Sequence, residues 1–138
     1  MAGLAKLYGA TPAFAEIKPI NGGFLLLTSK GISEDFAQDL SPEEKKVLLA
    51  TQGATQGAIL GTPITTAAWH TKPSWFVIAS NDRTISPEQE KVTAKRMNAK
   101  TLTLPTSHVA MLAKSKEVSE FVIEAAASFN TTASVGTN

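Results

Sequence analysis

The stretch from Pro73 to His108 constrains the fold of this chain most strongly. It opens with the uniformly apolar run WFVIA (75–79), which is typical of a strand buried on both faces of a sheet. The motif SPEQ (86–89) places an N-cap serine and a proline where a helix begins. The alternating run TLTL (101–104) predicts a second strand. Roughly 20 residues separate the two runs, enough for a right-handed crossover between parallel strands.

A residue of catalytic type follows each of these strands. Asp82 comes just after the first strand, and His108 follows the second. Loops that leave the carboxyl ends of neighbouring parallel strands, about 4.8 Å apart, can meet at one edge of the sheet. An aspartate that orients a histidine is the supporting half of a nucleophilic triad. The alternative is that Asp82 only hydrogen bonds to its own loop and that His108 is structural or solvated.

Composition limits the remaining possibilities. A chain of 138 residues predicts one domain, and 43% hydrophobic with 18% charged residues is ordinary for a globular protein. A net charge of +1 with scattered basic residues gives no reason to expect nucleic acid or an acidic membrane as a partner. With no cysteine and only His70 and His108 as histidines, we expect neither a metal site nor a cofactor.

Targeting signals are absent from the sequence pattern. No window of about 18 uninterrupted apolar residues predicts a membrane-spanning helix. The apolar centre of the first residues is too short and too broken for a signal peptide. A cytoplasmic location is therefore the default expectation.

The rest of the chain carries local structural signals. FLLLT (24–28), bounded by glycines and a polar turn, predicts a strand. Ser33, ahead of two acidic residues, and the motif SPEE (41–44) predict helix starts, the second helix ending near Gly53. Ser115 is expected to cap the last helix. Its apolar stripe, which should pack on the sheet, comprises Val118, Phe121, Val122, Ala125 and Phe129.

The run PSWFVIASNDRTISPEQEKVTAKRMNAKTLTLPTSHVAML (73–112) resembles the C-terminal part of α/β-hydrolase-fold esterases. The likeness is to the branch that contains salicylate esterases and hydroxynitrile lyases. In that branch a tryptophan-bearing strand leads to an N-D-R-x-I loop, and an S-H-V-x-M-L loop follows. FAQDLSPEEKKVLLATQ (36–52) and TAAWHTKPSW (66–75) are similar to its cap region and to the return to the sheet. The resemblance covers roughly residues 15–128.

The resemblance implies an α/β fold: a partial α/β-hydrolase with a cap-like helical segment and a βαβ-α unit containing a parallel strand pair. We expect a cap-like segment with a short strand and helices (1–70) and the C-terminal βαβα part of the hydrolase core (71–130). The small, polar residues that follow predict a disordered tail (131–138). By position, Asp82 corresponds to the triad acid and His108 to the general base.

Three aromatic residues also take roles from the resemblance. Trp69, Trp75 and Phe36 correspond to cap or core residues. Trp75 is best assigned to the core, because it opens the strand that should be buried.

The chain departs from such enzymes in one essential respect. Their serine nucleophile lies in a G-x-S-x-G elbow upstream of the acid, and the 138 residues contain no such motif. The nearest string, GATQG (53–57), carries threonine and follows a helical pattern rather than a strand. The expectation is a truncated carboxylic-ester hydrolase that retains the acid and the histidine but is inactive by itself.

The apolar strand at 75–79 should not remain an open sheet edge, because such edges invite pairing. Another copy of the chain, a separate N-terminal half or the strand at 24–28 could cover it. Two further hypotheses follow: a non-catalytic, self-associating half-hydrolase that forms homo-oligomers, and one half of a split serine esterase. If a partner completes the site, a small ester is the expected substrate.

Overall fold

The computed structural model describes the backbone of residues 10–133 and the side chains of residues 10–128. Five strands and five helices make up this part of the chain. In chain order these are α1 (Pro12–Ala15), β1 (Ile17–Ile20), β2 (Phe24–Leu27), α2 (Pro42–Thr51), β3 (Thr55–Gln56), β4 (Trp75–Ala79), α3 (Pro87–Arg96), β5 (Lys100–Leu104), α4 (Ala110–Ala113) and α5 (Ser115–Ala133). Short 3₁₀ turns cover Asn21–Gly23, Gly57–Gly61 and Ala68–His70.

The strands form two separate sheets. In the first, β2 lies between β1 and β3, and both pairings are antiparallel. The β1–β2 hairpin turns at Gly22 and Gly23, both at φ 76°, a conformation that residues with a Cβ rarely adopt. The strand expected at 24–28 is therefore confirmed, but its neighbours are β1 and β3. The idea that it covers the edge of β4 is wrong, because β4 belongs to the other sheet.

The second sheet confirms the predicted βαβ unit. β4 pairs with β5 in parallel, in a register that runs from Trp75 opposite Lys100 to Ala79 opposite Leu104. The crossover helix α3 begins where the sequence indicates, since the Ser86 hydroxyl accepts a hydrogen bond from the Gln89 N–H at 3.2 Å. Both strands consequently end at the same edge of the sheet, and the loops that follow them meet there.

Helix starts in the first half agree with the sequence in one case and differ in the other. Ser41 and Glu44 form a full capping box at the start of α2. Ser33 is not a cap: residues Gly31–Phe36 form one wide π-helical turn that contains it. The preceding turn is held instead by Thr28, whose hydroxyl accepts from the Gly31 N–H at 3.0 Å.

Burial concentrates near the C-terminal ends of β4 and β5. Ile78 and Ala79 are buried, whereas the first three residues of β4 are only partly buried, so the prediction of a fully buried strand holds for its end alone. β4 has one strand neighbour among the described residues, which leaves its start less covered. Trp75 is one of the partly buried residues.

The last helix buries one residue of its predicted stripe fully. Phe121 is buried, whereas 59% of Val122 is exposed, and the side chain of Phe129 lies outside the described residues. The helix runs to Ala133, so residues 131–133 of the expected tail are helical. Residues 134–138 lie outside the described part of the chain. None of the helices in residues 10–133 has the length and apolar composition that crossing a lipid bilayer requires.

Candidate active site at the ends of the parallel strands

The structure brings Asp82 and His108 together. The Nδ1 atom of His108 lies 2.7 Å from Oδ2 of Asp82. The Asp82 side chain is completely buried, whereas 31% of the His108 side chain is exposed. The aspartate therefore holds one ring nitrogen from the protein interior, and Nε2 is left for a reacting group.

The loop after β4 prepares the Asp82 carboxylate for this contact. Its Oδ1 accepts hydrogen bonds from the backbone N–H groups of Thr84, at 2.6 Å, and Ile85, at 3.0 Å. Burial alone opposes ionisation of Asp82. The hydrogen bond and charge of His108, together with the two backbone N–H groups, outweigh burial and hold the pKa of Asp82 below its ordinary value. The carboxylate thus stays charged, as a histidine-orienting group must.

The exposed side of His108 faces a cavity of about 540 Å³. The ring of Phe36 lies against the imidazole, with centroids 5.1 Å apart and planes tilted by 45°. Most of the other lining residues are apolar and come from the first sheet and from α2. The described lining consists of Ile17, Leu25, Leu26, Leu27, Ile32, Phe36, Leu48, Thr51, Gln52, Gly53, Thr55, Leu60, Thr84 and His108.

No serine belongs to this described lining. Thr55, the centre of the GATQG string, does line the cavity, but it lies in β3 within an antiparallel sheet. A nucleophile elbow requires a sharp strand-to-helix turn. The position of Thr55 therefore agrees with the sequence-based view that the string is not an elbow.

The segment from 31 to 40 docks onto the loops that carry the pair. Asp35 is buried and its carboxylate accepts from Nε of Arg83 at 2.8 Å, next to Asp82 in sequence. Asp39 accepts from the backbone N–H of Ser107 at 2.8 Å, next to His108. All three aspartates of the chain thus act on this one neighbourhood.

The resemblance assigns Phe36 and Trp69 to the cap or the core. Phe36 packs against the small cluster of Ala37, Leu40 and Val109, which joins the two halves of the chain. Trp69 lies away from the His108 cavity, beside His70 and Arg96, and is partly buried. Neither His70 nor any other described residue belongs to a group of three or more metal-binding side chains.

Sequence reasoning missed Glu90. Its carboxyl is buried and Oε2 accepts from the backbone N–H of Ala79 at 2.8 Å. A glutamate in the first turn of a helix is ordinarily explained by its favourable interaction with the helix dipole. The sequence pattern therefore did not predict that the Glu90 side chain is buried. Burial, foremost, raises the pKa of Glu90 to about 7, and the neighbouring charge of Asp82 acts in the same direction.

Comparison with solved structures identifies the fold. The chain is similar to the crystal structure of polyneuridine aldehyde esterase, with a TM-score of 0.65 and 14% identity over 75% of this chain and 43% of that one. A mutant of that esterase, in which a histidine is replaced by alanine, gives a TM-score of 0.69 and 12% identity over 87% of this chain and 53% of that one. The fold is that of a partial α/β-hydrolase.

The chain spans about half the length of these solved structures. No protein-family model matches its sequence, and no curated protein sequence matches it either. The partial α/β-hydrolase fold expected from the sequence is thus confirmed by structure at low sequence identity. The roles of Asp82 and His108 stay predictions.

Proposed function

We propose that this chain supplies the acid and the general base of a serine carboxylic-ester hydrolase, and that it is inactive by itself. One observation carries the proposal: the fully buried Asp82 carboxylate contacts His108 at 2.7 Å while the histidine opens onto an apolar cavity. The fold of the similar solved esterases supports it.

The chemistry follows from which nitrogen is free. With Nδ1 held by Asp82, Nε2 of His108 takes the proton of an attacking serine hydroxyl and passes it to the leaving alkoxide. In the second half of the cycle Nε2 takes a proton from water as the water oxygen attacks the acyl-serine ester, and returns that proton to the serine oxygen when the ester bond breaks and the carboxylic acid leaves. Asp82 stabilises the imidazolium formed in both halves. The serine and the oxyanion-hole donors come from a polypeptide region outside these 138 residues.

The cavity indicates the kind of ester. A volume of about 540 Å³ lies within the range of small-molecule sites, roughly 300–1,000 Å³. Its apolar walls favour an ester with an apolar acyl or alcohol group, and apart from His108 the polar side chains of the described lining are those of threonines and one glutamine. We therefore propose a small, largely apolar ester as substrate.

The first experiment asks whether the chain alone hydrolyses a small aryl ester. We expect no rate above buffer. A rate that His108→Ala abolishes would contradict the inactive chain and point to a nucleophile within it. Thr55→Ala would then identify the cavity threonine as that nucleophile if it also removed the rate.

The second experiment supplies the missing half. Co-expression with an α/β-hydrolase N-terminal half that carries a G-x-S-x-G serine should restore ester hydrolysis, and His108→Ala in this chain should remove it again. A restored rate that does not depend on His108 would contradict its role as the base.

A self-associating, non-catalytic protein is the second candidate function. The observation that favours it is β4, an apolar strand whose edge away from β5 pairs with no strand among the described residues. Such an edge is a template for a further strand. Light scattering at micromolar concentration is expected to give a dimer or larger species. A monodisperse monomer would count against this candidate and leave the split or truncated hydrolase.

A further inference from the structure

The loop that carries Asp82 is backed by a second buried carboxyl group, that of Glu90. Glu90 is 8% exposed, and among the described residues it takes part in no ion pair with lysine or arginine. Glu88, two residues earlier in the same helix, has a side chain that is 72% exposed. A buried carboxyl without a cationic partner is costly, because a charged group loses its hydration there.

Glu90 is attached to the backbone from which the Asp82 loop departs. Ala79 donates its N–H to Oε2 of Glu90 at 2.8 Å, and its carbonyl accepts from the Asp82 N–H at 3.1 Å. The N–H and the carbonyl of Ala79 are thus both hydrogen bonded, the N–H to the Glu90 side chain and the carbonyl to the Asp82 N–H. Ala79 therefore links the Glu90 side chain to the start of the Asp82 loop.

The two carboxyl groups also interact directly. Burial, foremost, raises the pKa of Glu90 to about 7, and the charge of Asp82 and a side-chain hydrogen bond to it act in the same direction. The Ala79 N–H and the charge of His108 act the opposite way and are outweighed. Asp82 and His108 are the titratable groups that face Glu90. The raised pKa of Glu90 and the lowered pKa of Asp82 favour the proton on Glu90.

We propose that Glu90 is a positioning residue for the Asp82–His108 pair: as a neutral acid it holds the end of β4 through Ala79 and donates a hydrogen bond to Asp82. The proposal rests on the proposed function, because it assigns Glu90 to the orientation of the triad acid. Glutamine is the matched substitute, since its amide oxygen can accept from Ala79 while its NH₂ donates to Asp82. Glu88→Gln removes an ionisable carboxyl from the exposed side of the same helix.

The experiment is carboxyl ¹³C and histidine NMR on the whole chain, which needs no catalytic activity. The chain has three aspartates and two histidines, so each signal can be assigned by substitution. We expect the signal lost in Glu90→Gln to titrate near pH 7 rather than near 4.5. The Asp82 carboxyl signal should show a step at the same pH, lost in Glu90→Gln and retained in Glu88→Gln.

The positioning role has its own readout in the Nδ1–H proton of His108. Its downfield signal should be retained in Glu90→Gln and lost in Glu90→Ala, so that the conservative variant rescues the pair. Titration of Glu90 near pH 4.5, or an Asp82 signal without a step at the Glu90 midpoint, would overturn the inference. So would a Glu90→Gln chain that fails to fold, because glutamine satisfies both contacts.

The same spectra separate this inference from the proposed function. Asp82→Asn should shift the His108 ring signals and leave those of His70 unchanged. If His108 does not respond to Asp82→Asn, the acid–base pair itself fails. If the His108 signals respond to Asp82→Asn but the Asp82 carboxyl signal shows no step at the Glu90 midpoint, only the positioning role of Glu90 is contradicted.

Discussion

The first half of the chain contains the β1–β2–β3 sheet and α2, and the second half contains β4, α3 and β5. The two halves bury their apolar residues to different extents. Near the ends of β4 and β5, Ile78 and Leu104 are buried next to the buried polar residues Asp82 and Glu90. In the first half, α2 buries none of its residues and 61% of Val47 is exposed. Residues near the candidate catalytic pair are therefore more deeply buried than those of α2.

The difference teaches what each half is suited for. The second half holds polar groups in fixed positions, which requires that the surrounding atoms lock each side chain in one rotamer. The first half presents apolar side chains to the cavity beside His108, where the proposed function requires a cover for the substrate. The segment from 31 to 40 connects the two through the Asp35–Arg83 ion pair and the Asp39 contact with the Ser107 N–H.

The largest expected effect concerns the polar centre of the second half. In a chain complemented with a serine-bearing half, Asp82→Asn should lower kcat by about 10⁴-fold, because the amide leaves His108 in the wrong tautomer. Steady-state aryl-ester kinetics measure the effect. Glu43→Gln, at an exposed carboxylate of α2 in the first half, is the control and should change kcat far less. Equal losses in both variants would remove the functional distinction between the halves.

The second prediction compares apolar truncations in the two halves. Ile78→Ala should lower the free energy of unfolding by about 2–5 kcal/mol, because it leaves a cavity at a buried site. Val47→Ala should change it by no more than about 0.5 kcal/mol, since that side chain is mostly exposed. Urea denaturation of both variants gives the values. Comparable losses would show that α2 is covered in solution by a contact that the single chain does not make.

The third prediction concerns pH and Glu90. In the folded chain its pKa is about 7 against an ordinary value of 4.5, so the folded state keeps a proton that the unfolded state loses. The free energy of unfolding should therefore fall as pH rises from about 4.5 to 7, by at most about 3 kcal/mol. Asp82, with its lowered pKa, acts only below its ordinary value of 3.8.

Glu90→Gln should remove this fall, and Glu88→Gln should retain it. Denaturation curves at pH 5, 6, 7 and 8 provide the test. If the free energy of unfolding of Glu90→Gln fell with pH as in the unsubstituted chain, another group would be responsible for the proton that the folded state retains.

The smallest expected effect compares the two helix caps. Ser41→Ala and Ser86→Ala each remove a side chain that accepts from the first turn of its helix, which costs about 1 kcal/mol. Because α2 buries no residue, the Ser41 variant should fray that helix locally and raise amide exchange there alone. The Ser86 variant should lower global stability, because α3 carries Glu90 and Ala94 into the core. A loss of global stability in both variants would show that the two helices contribute equally to the stability of the fold.

Several features could be predicted from sequence because their causes are local. β4 was predicted at 75–79 from its apolar run, and both serine caps from the residues that follow them. The meeting of Asp82 and His108 was also expected, because parallel neighbours end at one edge of a sheet. The Ser33 cap was wrong, because Thr28 makes the local bond instead and Asp35 turns toward Arg83.

The sequence by itself determined the β4–α3–β5 unit, the two residues at its rim and the absence of a G-x-S-x-G serine from these 138 residues. Only the tertiary structure decided that β2 belongs to a separate sheet and that Glu90 lies behind Asp82. Strand partners and side-chain directions depend on contacts between residues far apart in the chain, and no local pattern contains that information. The stretch Pro73–His108 thus holds three buried or half-buried ionisable groups where its spacing indicated two.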